Sequence, residues 1–306
     1  MKYRIYQVDS FTTERFHGNP AGVVPNADGL TETQMQQIAR ELNNSETAFI
    51  FSAEDDTYDV GVRFFTPVTE VPLCGHATIA AHYVRAIEGN LTGTFIQKTK
   101  AGLLPVEIVP EGDDCAVIMT QAEPFVSDPF DEELTGRVAH ALGILPEDIR
   151  EDCPVSIASA GHSKIMVGIK SRSLLDRLNP GDAELIEISH DVGCNGYYVF
   201  TLSPSEDVLV HGRMFAPAIG IREDPVTGNA NGPLGIYLVH YNIFPELQSE
   251  HAFDFSIRQG EAIHRDGGMK VHVVKQGGKP VRVQIIGRAV VAFKTEIELQ
   301  TAKTGI

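Results

Sequence analysis

The sequence predicts an α+β protein of two pseudo-symmetric domains, each a curled, barrel-like, mostly antiparallel sheet around one central helix. Three observations carry this. From Ala77 to Ile87 the chain is small or apolar almost all the way round. A helix that is apolar on every side belongs in the middle of a domain, and this one is too short to span a membrane. A second such stretch opens at Asp224-Pro225-Val226-Thr227-Gly228-Asn229-Ala230-Asn231-Gly232-Pro233-Leu234 and runs on to Tyr241. The third observation is a repeat at an offset of 150 positions. Arg63-Phe64-Phe65-Thr66-Pro67 returns as Arg213-Met214-Phe215-Ala216-Pro217, and the strand-like 45–51 returns as 195–201. Several matches in one order point to internal duplication, at a period far too long for a solenoid.

Composition narrows the class. The chain has 306 residues, 42% hydrophobic and 22% charged, which suits a globular protein of two ordinary domains. A net charge of -16 argues against nucleic acid or an anionic membrane as partner. It leaves room for a small anionic substrate, because a local helix terminus overrides the global sign. The N-terminal residues show no signal-peptide run and no segment reaches transmembrane length. Cys74, Cys115, Cys153 and Cys194 form no CxxC pair. The expectation is reduced thiols in the cytoplasm. Metal-ligand spacing is absent, since His76 and His82 are too far apart for an i, i+4 pair.

In chain order, residues 3–9 alternate as a strand. A loop with Phe16, Gly18, Asn19 and Pro20 leads to a short strand ending at Val24. Thr31 with Gln34 makes a capping box, and Leu30 with Met35 a hydrophobic staple. The helix that follows shows Met35, Ile38, Ala39 and Leu42 on one face and stops at Asn43-Asn44. Strands are expected over 45–51 and 58–65, then the turn into the central helix, then strands at 93–99, 103–109 and 115–121. Residues 121–131, with Pro124 and Pro129, read as a linker. In the second half, Gly161-His162-Ser163 before Ile165-Met166-Val167 echoes Gly18-Asn19-Pro20. Residues 181–190 echo the first helix. Each half then holds about six or seven strands and one all-round apolar helix, which the strands must enclose. The domains are expected at 1–127 and 128–287. The tail, 288–306, adds a strand to a half that the sequence does not identify.

A pseudo-twofold would bring the helix starts at Gly75 and Gly228 to one inter-domain cleft, where pockets form. The first N–H groups of a helix lack helical partners and carry partial positive charge, so they suit an anion. His76 there can carry a proton near neutral pH. Glu46 lies between a helix end and an apolar strand, and its repeat counterpart is Gly196, so the duplication is broken at that position. Asp224 precedes the second helix start, and Cys74 the first glycine. The plain alternatives are a solvated loop acid, a turn former and a packed small residue. Taken together, Glu46, His76 and Asp224 are proton carriers without a nucleophile or a metal. That set suits proton abstraction and return on a small carboxylate.

Phe16-His17-Gly18-Asn19-Pro20-Ala21, Ser45-Glu46-Thr47-Ala48-Phe49, Arg63-Phe64-Phe65-Thr66-Pro67, Cys74-Gly75-His76-Ala77-Thr78 and Glu223-Asp224-Pro225-Val226-Thr227-Gly228 resemble the PhzF-like family, named for the phenazine biosynthesis isomerase. The resemblance covers nearly the whole chain. It implies a diaminopimelate-epimerase-like fold and a cofactor-independent isomerase, usually a homodimer. It implies Glu46 as the proton carrier, with Gly75, His76, Asp224 and Gly228 at the two helix starts. Asn229 departs from the serine of the phenazine enzyme. An amide cannot relay a hydroxyl proton, though it can bind a carboxylate.

Three readings follow. The first is an isomerase using Glu46 as general acid/base, with Asn229 and Cys74 beside the substrate. The second is a two-base epimerase pairing Cys74 with Asp224. The third is a non-catalytic module that binds a small carboxylate at the two helix starts.

Overall fold

The computed structural model describes residues 1–203 and 207–299. The chain divides into two compact units, Met1–Met119 with Gly287–Ile306, and Thr120–Ile286.

The first unit contains β1 (Lys2–Ser10), β2 (Asn19–Val24), α1 (Glu32–Leu42), β3 (Glu46–Ser52), β4 (Val60–Phe65), β5 (Glu70–Val71), α2 (Gly75–Gly89), β6 (Gly93–Thr99), β7 (Gly102–Glu111) and β8 (Asp114–Thr120). The tail strand Ala289–Glu298 runs antiparallel to β1, from Lys2 opposite Glu298 to Ser10 opposite Ala289. Neighbours are antiparallel except β2–β3 and β4–β6. Each parallel pair needs a helical crossover, and α1 and α2 are those crossovers. The two helices are written differently. Thr31 caps α1 and exchanges bonds with Gln34 in a capping box, while Met35, Ile38 and Ala39 are buried on one face. α2 is buried from Gly75 through Val84 and packs on β1, β2, β3, β7 and the tail strand. It is the enclosed helix that its all-round apolarity requires.

The second unit contains β9 (Phe125–Val126), α3 (Glu132–Leu142), β10 (Ser156–Ser159), β11 (Ser163–Gly168), α4 (Arg172–Arg177), α5 (Asp182–Val192), β12 (Tyr197–Leu202), β13 (Val210–Ala216), β14 (Ile221–Asp224), α6 (Gly228–His240), β15 (Ala252–Gln259), β16 (Gly267–Gln276) and β17 (Lys279–Gly287). Its parallel pairs are β11–β12 and β13–β15, matching those of the first unit. α6 is buried along nearly its whole length and packs on β9, β10, β11, β15 and β16.

Strand register shows the duplication residue by residue. Thr47 opposes Phe65 and Ser52 opposes Val60; Tyr197 opposes Phe215 and Leu202 opposes Val210. Each pair keeps the offset of 150 positions read from the sequence. Arg63 grips Glu70 through Nε and Nη2, at 2.8 and 2.7 Å. Arg213 grips Glu223 in the same fork, at 2.9 and 2.7 Å.

The structure departs from the sequence reading at several points. Residues 121–131 are not only a linker, because β9 lies within them and pairs with β10. α3 was not expected. It starts at Asp131, whose side chain accepts from Leu134 N at 2.8 Å, and ends on Gly143 in the left-handed region at φ 73°, where glycine carries no steric penalty. α3 packs on α5, and their core includes Val138, Leu142, Leu185 and Ile188. α4 was also unexpected. It is short and sits between β11 and α5. Each unit holds more strands than the reading allowed, since β5, β9 and β14 are too short to show a periodic pattern.

Candidate active site

In the first unit, α1 ends at Leu42 and β3 opens at Glu46. Parallel pairing sets Glu46 beside Ala21 of β2. Three residues on from the end of β5, Cys74 is the extended residue that begins α2. The junction and the helix start meet. Glu46 Oε2 lies 3.4 Å from His76 Nε2, with the two side chains 16% and 9% exposed. Ser45 Oγ lies 3.2 Å from the same nitrogen. Cys74 Sγ is 3.4 Å from His76 Nδ1 and 3.9 Å from Nε2. The Ser10 hydroxyl donates to His76 O at 2.8 Å, fixing the turn from behind. Thr78 Oγ1 donates back to Cys74 O at 2.7 Å.

Cys74 makes no side-chain cap to the first turn of α2. The leading N–H groups, Gly75 among them, therefore keep their polarity for an anion. Glu46, Cys74 and His76 each offer one ligand atom, all within 4.8 Å of one another. A thiol, an imidazole and a carboxylate are a donor set that suits a zinc-like ion. They are equally a set of proton-carrying groups. The sequence could not present this trio by spacing, because Glu46 is brought in by β3.

In the second unit, Asp224 closes β14 and is buried. The Thr227 hydroxyl donates to Asp224 Oδ2. Thr227 begins α6 without capping it; its hydroxyl oxygen accepts from the Gln259 amide instead. Gln259 ties the turn together: its Nε2 donates to Asp224 O at 2.8 Å and to Thr227 Oγ1 at 3.0 Å. Its Oε1 accepts from Thr227 N at 3.1 Å and Asn231 Nδ2 at 3.0 Å. Tyr198 OH donates to Asn231 Oδ1 at 2.6 Å. Gly228 is buried, and Asn229 is half-buried at the second position of α6. Pro233 lies inside this helix and has no N–H to offer the carbonyl one turn back, so that Asn229 O is left without its helical donor.

The structure thus gathers Glu46, Cys74, Gly75 and His76 in the first unit, and Asp224, Gly228 and Asn229 in the second. Sequence reasoning did not assign Ser45 or Gln259. Ser45 was visible only as the neighbour of Glu46. Gln259 ends a strand far along the chain, and nothing local marks it.

A carboxylate, an imidazole and a thiol gather at the start of one buried helix. A family described as phenazine biosynthesis-like protein (PhzC-PhzF) matches residues 8–295. The chain belongs to this family. It is 55% identical over 300 residues to an uncharacterized isomerase of Clostridium acetobutylicum, covering 97% of this chain and 99% of that one. It is 31% identical over 285 residues to the trans-2,3-dihydro-3-hydroxyanthranilate isomerase of Pseudomonas chlororaphis, covering 92% and 95%. Its fold matches the crystal structure of a PhzF-family phenazine biosynthesis protein from Bacillus anthracis with a TM-score of 0.87 and 31% identity, over 98% of this chain and all of that one. The chain is an isomerase of the PhzF type.

Proposed function

We propose a cofactor-independent isomerase that moves a proton on a small carboxylate-bearing molecule, with Glu46 as general acid/base. The observation that carries this reading is the Glu46–His76 pair, Oε2 to Nε2 at 3.4 Å, at the start of a buried helix. Glu46 takes a proton from carbon, and the bonding electrons pass into the adjoining unsaturated system. The same carboxyl, exchanging its proton with solvent between the two steps, delivers a proton elsewhere on the molecule, so atoms and charge balance without an oxidant. His76 with Nε2–H toward Glu46 and Ser45 holds the carboxylate in place. Its Nδ1 then accepts from the Cys74 thiol, an arrangement that gives each neighbour one role. Asp224, Gly228 and Asn229 are proposed as the acid and the anion-binding positions at the second unit's own helix start.

The Cys74–Asp224 epimerase is the weaker reading, because the thiol is already turned to His76 Nδ1 at 3.4 Å. A purely binding role leaves the Glu46–His76 pair without a use.

The test begins with a metabolite pool in heavy water. The expected result is deuterium in one small carboxylate when the protein is present and none after heat inactivation. A pool left unlabelled at every carbon, at high protein concentration, would count against proton transfer. The name of the Pseudomonas relative makes 2-aminobenzoate-like acids the first to examine.

A further inference from the structure

Three unlike donors converge within the first unit. Glu46 Oε2 lies 3.4 Å from His76 Nε2, and Cys74 Sγ lies 3.9 Å from the same nitrogen. One donor atom from each of the three residues falls within 4.8 Å of the other two. Around a four-coordinate ion of the zinc type, bonds of ~2.0–2.3 Å set neighbouring donors ~3.3–3.8 Å apart. The two spacings to His76 Nε2 are thus close to those of a bound ion.

The main chain beneath the donors is held in place. The Thr78 hydroxyl donates to Cys74 O, and the Ser10 hydroxyl to His76 O. The two donors that share the turn are therefore fixed before an ion arrives, and β3 fixes the third. No other trio of this kind lies among the described residues. The remaining thiols are Cys115, Cys153 and Cys194, and burial pushes the pKa of each upward.

We propose that Glu46, Cys74 and His76 bind a single thiophilic divalent cation of the zinc type, which reversibly inhibits the isomerase. The site rests on the geometry of the trio, and its effect on turnover rests on the isomerase reading above. Thiolate and imidazole favour such an ion over Mg²⁺ or Ca²⁺, which take oxygen donors. On binding, Cys74 releases its thiol proton to solvent and forms the sulfur–metal bond. His76 moves its proton from Nε2 to Nδ1 and gives the Nε2 lone pair to the ion. Glu46 binds as the carboxylate. Two negative ligands then cancel the double charge of the ion, which suits a site shielded from water. The fourth position is left to water. A carboxylate held to a cation is a far weaker base, so Glu46 cannot take a proton from carbon while the ion is bound.

The probe is Co²⁺ added to the full chain with no substrate present. A thiolate–cobalt bond gives a near-ultraviolet charge-transfer band, and a four-coordinate ion gives strong visible bands. Both are expected to saturate at a single ion per chain. Zn²⁺ should displace Co²⁺, and Mg²⁺ should not. Cys74→Ser should abolish the charge-transfer band, while Cys115→Ala leaves it. Glu46→Gln should keep the band and weaken Co²⁺ by more than the ~10- to 100-fold that losing a group behind a metal ligand costs. No charge-transfer band in the parent, a band that survives in Cys74→Ser, or an unchanged affinity in Glu46→Gln overturns the site. Turnover is read separately: deuterium incorporation should fall in step with occupancy and return when a chelator removes the ion. Incorporation that continues with the site full overturns the inhibition. Metal-free protein that labels no acid fails the isomerase reading instead, and the cobalt spectrum still decides the site.

Discussion

Glu46 Oε2 and His76 Nε2 stand 3.4 Å apart, although 30 positions of chain separate a helix-to-strand junction from a helix start. Two parallel strand pairs bring them together. β2–β3 pairing sets Glu46 against Ala21, and the crossover α2 carries His76 into the interior of the same sheet. The Ser10 hydroxyl pins the His76 carbonyl from β1. The pair is thus held by packed elements rather than by a loop, which suits the acid/base role proposed for it.

Cys74 is expected to assist and not to carry the chemistry. Its sulfur lies 3.4 Å from His76 Nδ1, closer than to the nitrogen that faces Glu46, at 3.9 Å. Cys74→Ala should reduce turnover well below the ~100-fold that a general acid or base supplies. Steady-state kinetics on the labelled acid checks this. A dead Cys74→Ala enzyme that folds normally would point to the thiol mechanism.

Much of this was legible locally. The α1 capping box needs only Thr31 and Gln34, and it is present as read. α2 and α6 announce themselves because apolar residues on every side leave no exposed face. The 150-position offset was readable from Arg63-Phe64-Phe65 and Arg213-Met214-Phe215, and the register keeps it. Other features had weaker signals or none. α3 has an N-cap at Asp131 and a glycine stop at Gly143, but no repeat counterpart drew attention to it, and Pro124 and Pro129 suggested a linker. The tail strand pairs with β1 across almost the whole chain, a contact no local pattern reports. The site trio was only half legible. Cys74 and His76 share a turn, while their distances to Glu46 and Ser45 follow from strand register.

Gln259 is expected to be a keystone of the second unit. It is fully buried and serves the Thr227 N–H, the Thr227 hydroxyl, the Asn231 amide and the Asp224 carbonyl. Gln259→Leu removes every one of these bonds at similar volume. Each buried group left without a partner costs about 1–3 kcal/mol. Urea unfolding should show a loss of at least that size. A variant as stable as the parent would show that the network is not needed to hold the turn before α6.

Glu70 gives a pH dependence with a definite sign. Burial alone would raise its pKa, but hydrogen bonds from Arg63 and Lys100 outweigh burial, and the net shift is downward from 4.5. A carboxylate with a depressed folded pKa contributes stability above its unfolded value and loses it as pH falls through the folded one. The difference in melting temperature between the parent and Glu70→Gln should therefore be full near neutral pH. It should shrink steadily as pH drops below about 4.5. A difference that stays constant or grows on acidification would contradict the assignment.

The most direct test of the account is solvent deuterium incorporation by Glu46→Gln, once the pool experiment has supplied the labelled acid. The substitution keeps the shape and removes the base. Groups of this kind supply ~100- to 10,000-fold in rate. The expected result is a loss of incorporation of at least that order, with the melting temperature close to the parent's. Incorporation at a near-parental rate would contradict Glu46 as the proton carrier.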